Sequence, residues 1–261
     1  MRCPECAKQS TRVVRMRDMA KVPQVTYALI AINVAVFLAE GNLSFGGQPG
    51  GSTIYTKGAL IGSFPGVPGI GVAHGQWWRI VTGGFLHENL LHIGFNMYVL
   101  YVLGLQLEPA LGRVKFATIY GVSLLCGSFG ALLVSPHAVT VGASGAVFGI
   151  MAAFAVELRA RQLPLMAGGL GGVGGLIMIN LVISFTLPGI SWAGHIGGLI
   201  GGMVAAAVLL IGERRRMLAL AYGVCAAIAA LAFASSIATS QSSVVEPAGG
   251  APLLQQGPTE P

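Results

Sequence analysis

"SWAGHIGGLIGGMVAAAVLLIGERRR", residues 191–216, decides how the rest of the chain is read. From Ser191 to Ile211 no carboxylate, lysine or arginine interrupts about twenty residues, the length that crosses a hydrocarbon layer about 30 Å thick as a helix. Three arginines, Arg214, Arg215 and Arg216, close the run. Glycines recur at Gly194, Gly198 and Gly202, with Gly197 and Gly201 beside them. Small residues four apart let two helices in a membrane approach backbone to backbone. One polar side chain, His195, sits near the start of the run.

The same pattern extends outward. The chain has 261 residues, 54% hydrophobic and only 9% charged, with 39 glycines. Soluble domains carry about 25% charged residues, so this composition excludes an ordinary water-soluble globule. Six further apolar runs of spanning length, about 17–22 residues each, occur at roughly Val22–Ala39, Asn89–Leu107, Phe116–Ser135, Gly142–Leu158, Gly168–Leu187 and Met217–Ala238. The expected fold class is all-α, a polytopic membrane bundle of seven transmembrane helices. The first run reads as a retained helix rather than a cleaved signal peptide.

The basic residues give the orientation. Arg2, Lys8, Arg12, Arg15, Arg17 and Lys21 precede the first span. Arg113 and Lys115 follow the second, Arg159 and Arg161 the fourth, and Arg214–Arg216 the sixth. These are all on one side of a seven-span chain; of the 15 basic residues only Lys57 and Arg79 fall on the other. The positive-inside rule puts the N-terminus in the cytoplasm and the C-terminus outside, in a multi-pass protein of the cell membrane. The net charge of +6 therefore reads as topology, and no nucleic-acid partner is expected. The expected divisions are a cytoplasmic segment 1–21, a six-helix core 22–211, a seventh helix 212–238 and a disordered external tail 239–261. The long loop 40–88 keeps Trp77, Trp78 and several aliphatic residues, so part of it is expected in the membrane interface.

Polar groups at membrane depth are costly and tend to mark function. His92 and Asn96 are four apart and share one face of the second span. Ser144 opens the fourth and His195 the sixth. Each alone has a bland reading: interhelical hydrogen bonding, a serine bonded back one turn, a packed histidine. Together they lie on three spans at a similar depth below the external face. Gly145 and Gly149 on the fourth span match the stripe Gly194–Gly198–Gly202 on the sixth, so close packing there would bring Ser144 and His195 within reach. That is the geometry of a hydroxyl activated by a base. The Ser144 N–H at a helix start, with His92 and Asn96, are candidate donors to a developing oxyanion. Glu108 and Glu157 fall at the cytoplasmic ends, so a Ser–His dyad without an orienting acid is expected. The order Gly142-Ala143-Ser144-Gly145-Ala146 is not the G-x-S-x-G elbow of soluble hydrolases.

These residues resemble the rhomboid family of intramembrane serine proteases. "GASGAVFG" (142–149) looks like its GxSG segment, "HENLLHIGFNMYVLYVLG" (87–104) its H-x4-H-x3-N pattern, and "AGHIGGLIGG" (193–202) its AH-x-x-G segment with Gly194 where alanine is common. "WWRIVTGGFLH" (77–87) is similar to the WR motif of its first loop. The resemblance covers about residues 22–211 and implies Ser144 as nucleophile, His195 as general base, and His92 and Asn96 at the oxyanion site. It further implies Phe148 stacked on the histidine, Gly142, Gly145 and Gly198 as supporting residues, and structural roles for Trp78 and Arg79. The seventh span matches the six-plus-one variant. The implied partners are transmembrane protein substrates within the lipid bilayer, with no cofactor. Cys3 and Cys6 form a CxxC like half of the zinc-binding extension of some members, but a structural zinc site takes four ligands and no metal is expected. Cys126 and Cys225 read as packing residues. A catalytically inactive client-binding relative and a small-solute transporter are the alternative readings.

Overall fold

The computed structural model describes residues 22–41, 43–45, 52–64, 67, 69–166 and 172–244. The segment carrying Cys3 and Cys6, and most of the expected tail, lie outside the described residues. Seven helices dominate: α1 Gln24–Glu40, α2 Leu90–Leu111, α3 Arg113–Val134, α4 Ser144–Ala160, α5 Val173–Thr186, α6 Trp192–Arg214 and α7 Leu218–Ser242. Among the described residues there is no strand beyond one isolated antiparallel bridge, Leu60 to Thr140. By length and composition α2, α3, α6 and α7 suffice to cross a membrane, and α1 and α5 are shorter apolar helices. α4 has 17 residues, with Glu157 and Arg159 in its last turns.

The helix ends differ from the expected spans where charge and backbone bonding diverge. α2 runs past Leu107 through Pro109 and stops at Gly112, whose φ of 87° breaks the helix. α3 starts at once at Arg113 rather than Phe116, and α6 continues beyond Ile211 to Arg214. Charged side chains are compatible with helical backbone even where they end an apolar run, because their long stems reach water from a buried turn. Lys115 of α3 indeed pairs with Glu213 of α6 at 2.7 Å. α7 extends beyond Ala238 to Ser242, so the first residues assigned to the tail are helical.

The centre of the bundle is a seam where glycine backbones meet neighbouring helices, with few side chains between them. A Cβ placed on Gly198 or Gly202 of α6 would strike the backbone of Gly145 or Gly149 of α4. On the neighbouring face of α6, a Cβ on Gly197 would strike the Cys126 carbonyl of α3, and one on Gly201 the Cys126 side chain. Gly127 and Gly130 of α3 meet Gly194 and Ala193 of α6 in the same way. The glycine stripes on α4 and α6 do face each other; α3, unforeseen in this role, completes a three-helix block. Around it Leu100, Leu107, Phe116, Ile119, Ile150 and Leu209 are almost fully buried.

The first loop is folded. Ser52 caps a helix Thr53–Gly58, and one-turn helices follow at Val72–His74 and Arg79–Thr82. Arg79 is buried: Nε donates to Gln76 Oε1 at 2.6 Å, and Nη1 to the carbonyls of Thr56 and Ala59 at 2.9 and 2.7 Å. Trp78 Nε1 donates to the Lys57 carbonyl at 3.0 Å while the Trp77 and Trp78 side chains stay half exposed. A planar five-donor fork thus ties the loop together through backbone acceptors that no sequence pattern marks.

At the opposite end of α2, Glu108 is buried and caps α1. Its carboxylate accepts from the backbone N–H groups of Val25 and Thr26 at 2.9 and 2.8 Å and from Thr26 Oγ1 at 2.7 Å. A helix N-terminus has unpaired N–H donors and favours a negative charge. Glu108→Ala is expected to lower stability by about 2–4 kcal/mol, since three donors lose a charged acceptor. Unfolding in detergent measures it, and Glu108→Gln should recover part of the loss.

Candidate active site

Ser144 is the first residue of α4, so its N–H has no intrahelical carbonyl to bond. The chain reaches it through Gly142, whose φ of 120° few side-chain-bearing residues adopt. A Cβ there would also lie 2.7 Å from Nε2 of His92. The Gly142 N–H donates to the Gly83 carbonyl at 2.9 Å, and the Leu60–Thr140 bridge holds the preceding turn. The folded first loop thereby sets where α4 begins.

His195 lies in the first turn of α6, which is capped by Ser191 accepting from the Gly194 N–H at 3.2 Å. Its Nε2 is 2.7 Å from Ser144 Oγ. Phe148, one turn into α4, stacks on the imidazole with ring centroids 4.4 Å apart and planes inclined by 18°. Gly145 and Gly198 are in backbone contact beside this pair. Ser144, Phe148, Gly142, Gly145, Gly198 and His195 are therefore brought to one place.

His92 and Asn96 line the same cavity from α2. His92 presents Nε2 to Gly142, while its buried Nδ1 has no hydrogen-bond partner. Asn96 Nδ2 donates to the His92 carbonyl at 2.9 Å, and a primary amide carries a second N–H. Next to them, His87 meets the His92 ring edge-on at 5.1 Å between centroids. Burial, with His92 alongside, pushes the His87 imidazole down to about 3, so it is neutral at physiological pH.

Two residues of this region escaped the sequence reading. Glu40, at the end of α1, is buried and accepts from the His87 N–H at 3.4 Å. Ser184, on α5, is buried with Oγ 2.6 Å from His195 Nδ1 and 2.6 Å from the Asn180 carbonyl. Asn180 and Ser184 stand four apart in an otherwise apolar run, and that spacing was the available signal.

The cavity has a volume of about 510 Å³ and is bounded by α2 to α6 and the first loop, with His92, Asn96, Ser144, Met151, Ser184 and His195 among its walls. Among the described residues no cluster of His, Cys, Asp or Glu is arranged to hold a metal ion. A hydroxyl at hydrogen-bond distance from an imidazole nitrogen, inside an apolar cavity, is equipped for nucleophilic attack on a carbonyl when that nitrogen carries no proton.

Comparison with known proteins gives the family of the chain. The family described as "Rhomboid domain" matches residues 74–212. The chain is 36% identical to Rhomboid protease GluP of Bacillus subtilis over 189 residues, 72% of this chain and 35% of that protein. It is 35% identical to RHOMBOID-like protein 7 of Arabidopsis thaliana over 164 residues, 62% of this chain and 50% of that one. With Putative rhomboid protease YdcA of B. subtilis it shares 31% identity over 154 residues, 56% of this chain and 74% of that protein. The matched stretches thus span a third to a half of the first two relatives.

Proposed function

The chain belongs to the rhomboid family of multi-pass membrane proteins, and on that premise we propose that it is an intramembrane serine endopeptidase. The observation that carries the proposal is the 2.7 Å contact between Ser144 Oγ and His195 Nε2. In this reading His195 Nε2 takes the Ser144 proton as Oγ attacks the scissile carbonyl. The negative charge developing on the carbonyl oxygen is met by the Ser144 N–H, the free N–H of the Asn96 amide, and His92. His195 then hands its proton to the leaving amine, and an acyl-Ser144 remains. A water molecule, deprotonated by the same nitrogen, releases it.

The substrates proposed are transmembrane segments of other membrane proteins, which reach a nucleophile that stands at a helix start within an apolar bundle. We take α1–α7 as seven crossings of the cell membrane, with the N-terminus cytoplasmic and the dyad near the external face, because the basic residues cluster on one side. Residues 22–211 are then the catalytic core, to which α7 is appended.

A fluorophosphonate probe tests the assignment. It is expected to label the folded, detergent-solubilised protein and to fail with Ser144→Ala. Absence of labelling in folded wild-type protein would overturn the protease reading in favour of a client-binding relative. Solute flux in liposomes that survives Ser144→Ala would favour a transporter.

A further inference from the structure

We propose that Ser184 is the positioning residue of the base: its hydroxyl holds His195 in the tautomer that can accept the Ser144 proton. The inference rests on the Ser144–His195 assignment and deepens it. One chain of contacts has room for a fixed number of protons. Ser144 Oγ, His195 Nε2, His195 Nδ1, Ser184 Oγ and the Asn180 carbonyl follow one another at 2.7 Å, then across the ring, then 2.6 and 2.6 Å. The carbonyl has no proton, so the last contact requires the single proton of Ser184. Having given it to Asn180, Ser184 can only accept from His195. Nδ1 must then carry the ring proton, and a neutral imidazole so protonated leaves a lone pair on Nε2 facing Ser144. The opposite arrangement puts a proton on Nε2, deprives the base of its acceptor, and breaks the Ser184–Asn180 bond.

The surroundings favour this reading over mere packing. Ser184 is 3% exposed, so no bulk water competes for Nδ1. Phe148 fixes the ring plane but offers no hydrogen bond. In soluble triads the atom on Nδ1 is a carboxylate, which also stabilises the imidazolium formed during attack. Here a neutral hydroxyl anchored to a helix carbonyl takes the orienting part of that role without placing a second charge in an apolar bundle. It also ties the base to α5, which shares the cavity wall with it through Asn180, Ile183 and Ser184.

Ser184→Val and Ser184→Thr have the same shape and differ by the hydroxyl. In the full-length protein reconstituted with a transmembrane substrate, Ser184→Val is expected to lower kcat by about tenfold to a hundredfold with KM unchanged, the scale seen when a metal-bound histidine loses its outer partner and less than when a base loses a carboxylate. Ser184→Thr is expected to keep most of the rate, because threonine in a helix makes the same bond to the carbonyl one turn back. The wild-type protein gives a readout that requires no folded variant. With ¹⁵N-histidine, the signals that vanish in His195→Ala should show Nδ1 protonated and Nε2 bare. Equal impairment of the Val and Thr variants, a wild-type kcat in Ser184→Val, a loss confined to KM, or an Nε2-protonated His195 would overturn the proposal. Failure of the dyad itself is seen separately, as cleavage or probe labelling that persists in Ser144→Ala.

Discussion

His195→Ala should abolish cleavage of a reconstituted transmembrane substrate, by about 10⁴-fold or more, the order lost when a member of a soluble serine triad is removed. Without the imidazole, Ser144 keeps its proton and the leaving amine has no donor. The structure indicates that the fold survives. His195 lines an existing cavity, so truncation enlarges that space rather than opening a void in packed core. The helix it belongs to is held by backbone contacts at Gly194, Gly197 and Gly198, none of which involves the imidazole. Unfolding measured in detergent should therefore shift little while activity vanishes. Retained cleavage would mean that another group serves as base.

Gly198→Ala should also be damaging, to a smaller extent and by a different route. The added methyl would strike the Gly145 carbonyl, and Gly145 directly follows Ser144 while Gly198 stands one turn beyond His195. Relief requires α4 and α6 to part at the point where the dyad is formed. A displacement of about 1 Å in reacting groups costs on the order of 100-fold in rate. The overpacking itself costs about 1–3 kcal/mol. Both losses are expected together, as slower cleavage and an earlier unfolding midpoint. Gly223→Ala on α7 is the control: a Cβ there meets nothing within 4 Å, and neither quantity should change. A Gly198→Ala protein with normal kcat would show that the seam does not set the distance between Ser144 and His195.

The parts of this site that could be read from sequence are those in which a pattern and a penalty coincide. Ser144 and His195 stand out because polar groups are scarce at membrane depth, and the glycine stripes on either side say which helices meet. α3 was not legible as the third member, since Gly127 and Gly130 are spaced three apart rather than at the four-residue spacing of the α4 and α6 stripes. Ser184 was hidden for a physical reason. A serine in a helix normally satisfies itself on the carbonyl one turn back, and Ser184 does so with Asn180; its second bond exists only once α5 and α6 are assembled. Arg79 was placed by its motif, but its acceptors are carbonyls 20 and 23 residues away. The helix ends were drawn where charge begins, whereas Arg113, Lys115, Glu213 and Arg214 all continue the helical hydrogen bonding.

The glycine seam has a mechanical consequence. Helices that meet through side chains can creep past one another, because each rotamer exchange provides a small step and another fit. Backbone laid on backbone has no such gearing, and dispersion forces fade steeply with separation. α3, α4 and α6 therefore have little room to slide on one another, and Ser144 and His195 stand on that block. Any yielding that the proposed seating of a second helix requires falls on the elements outside that block, and of these α5 is the one, among the described residues, that also bonds His195.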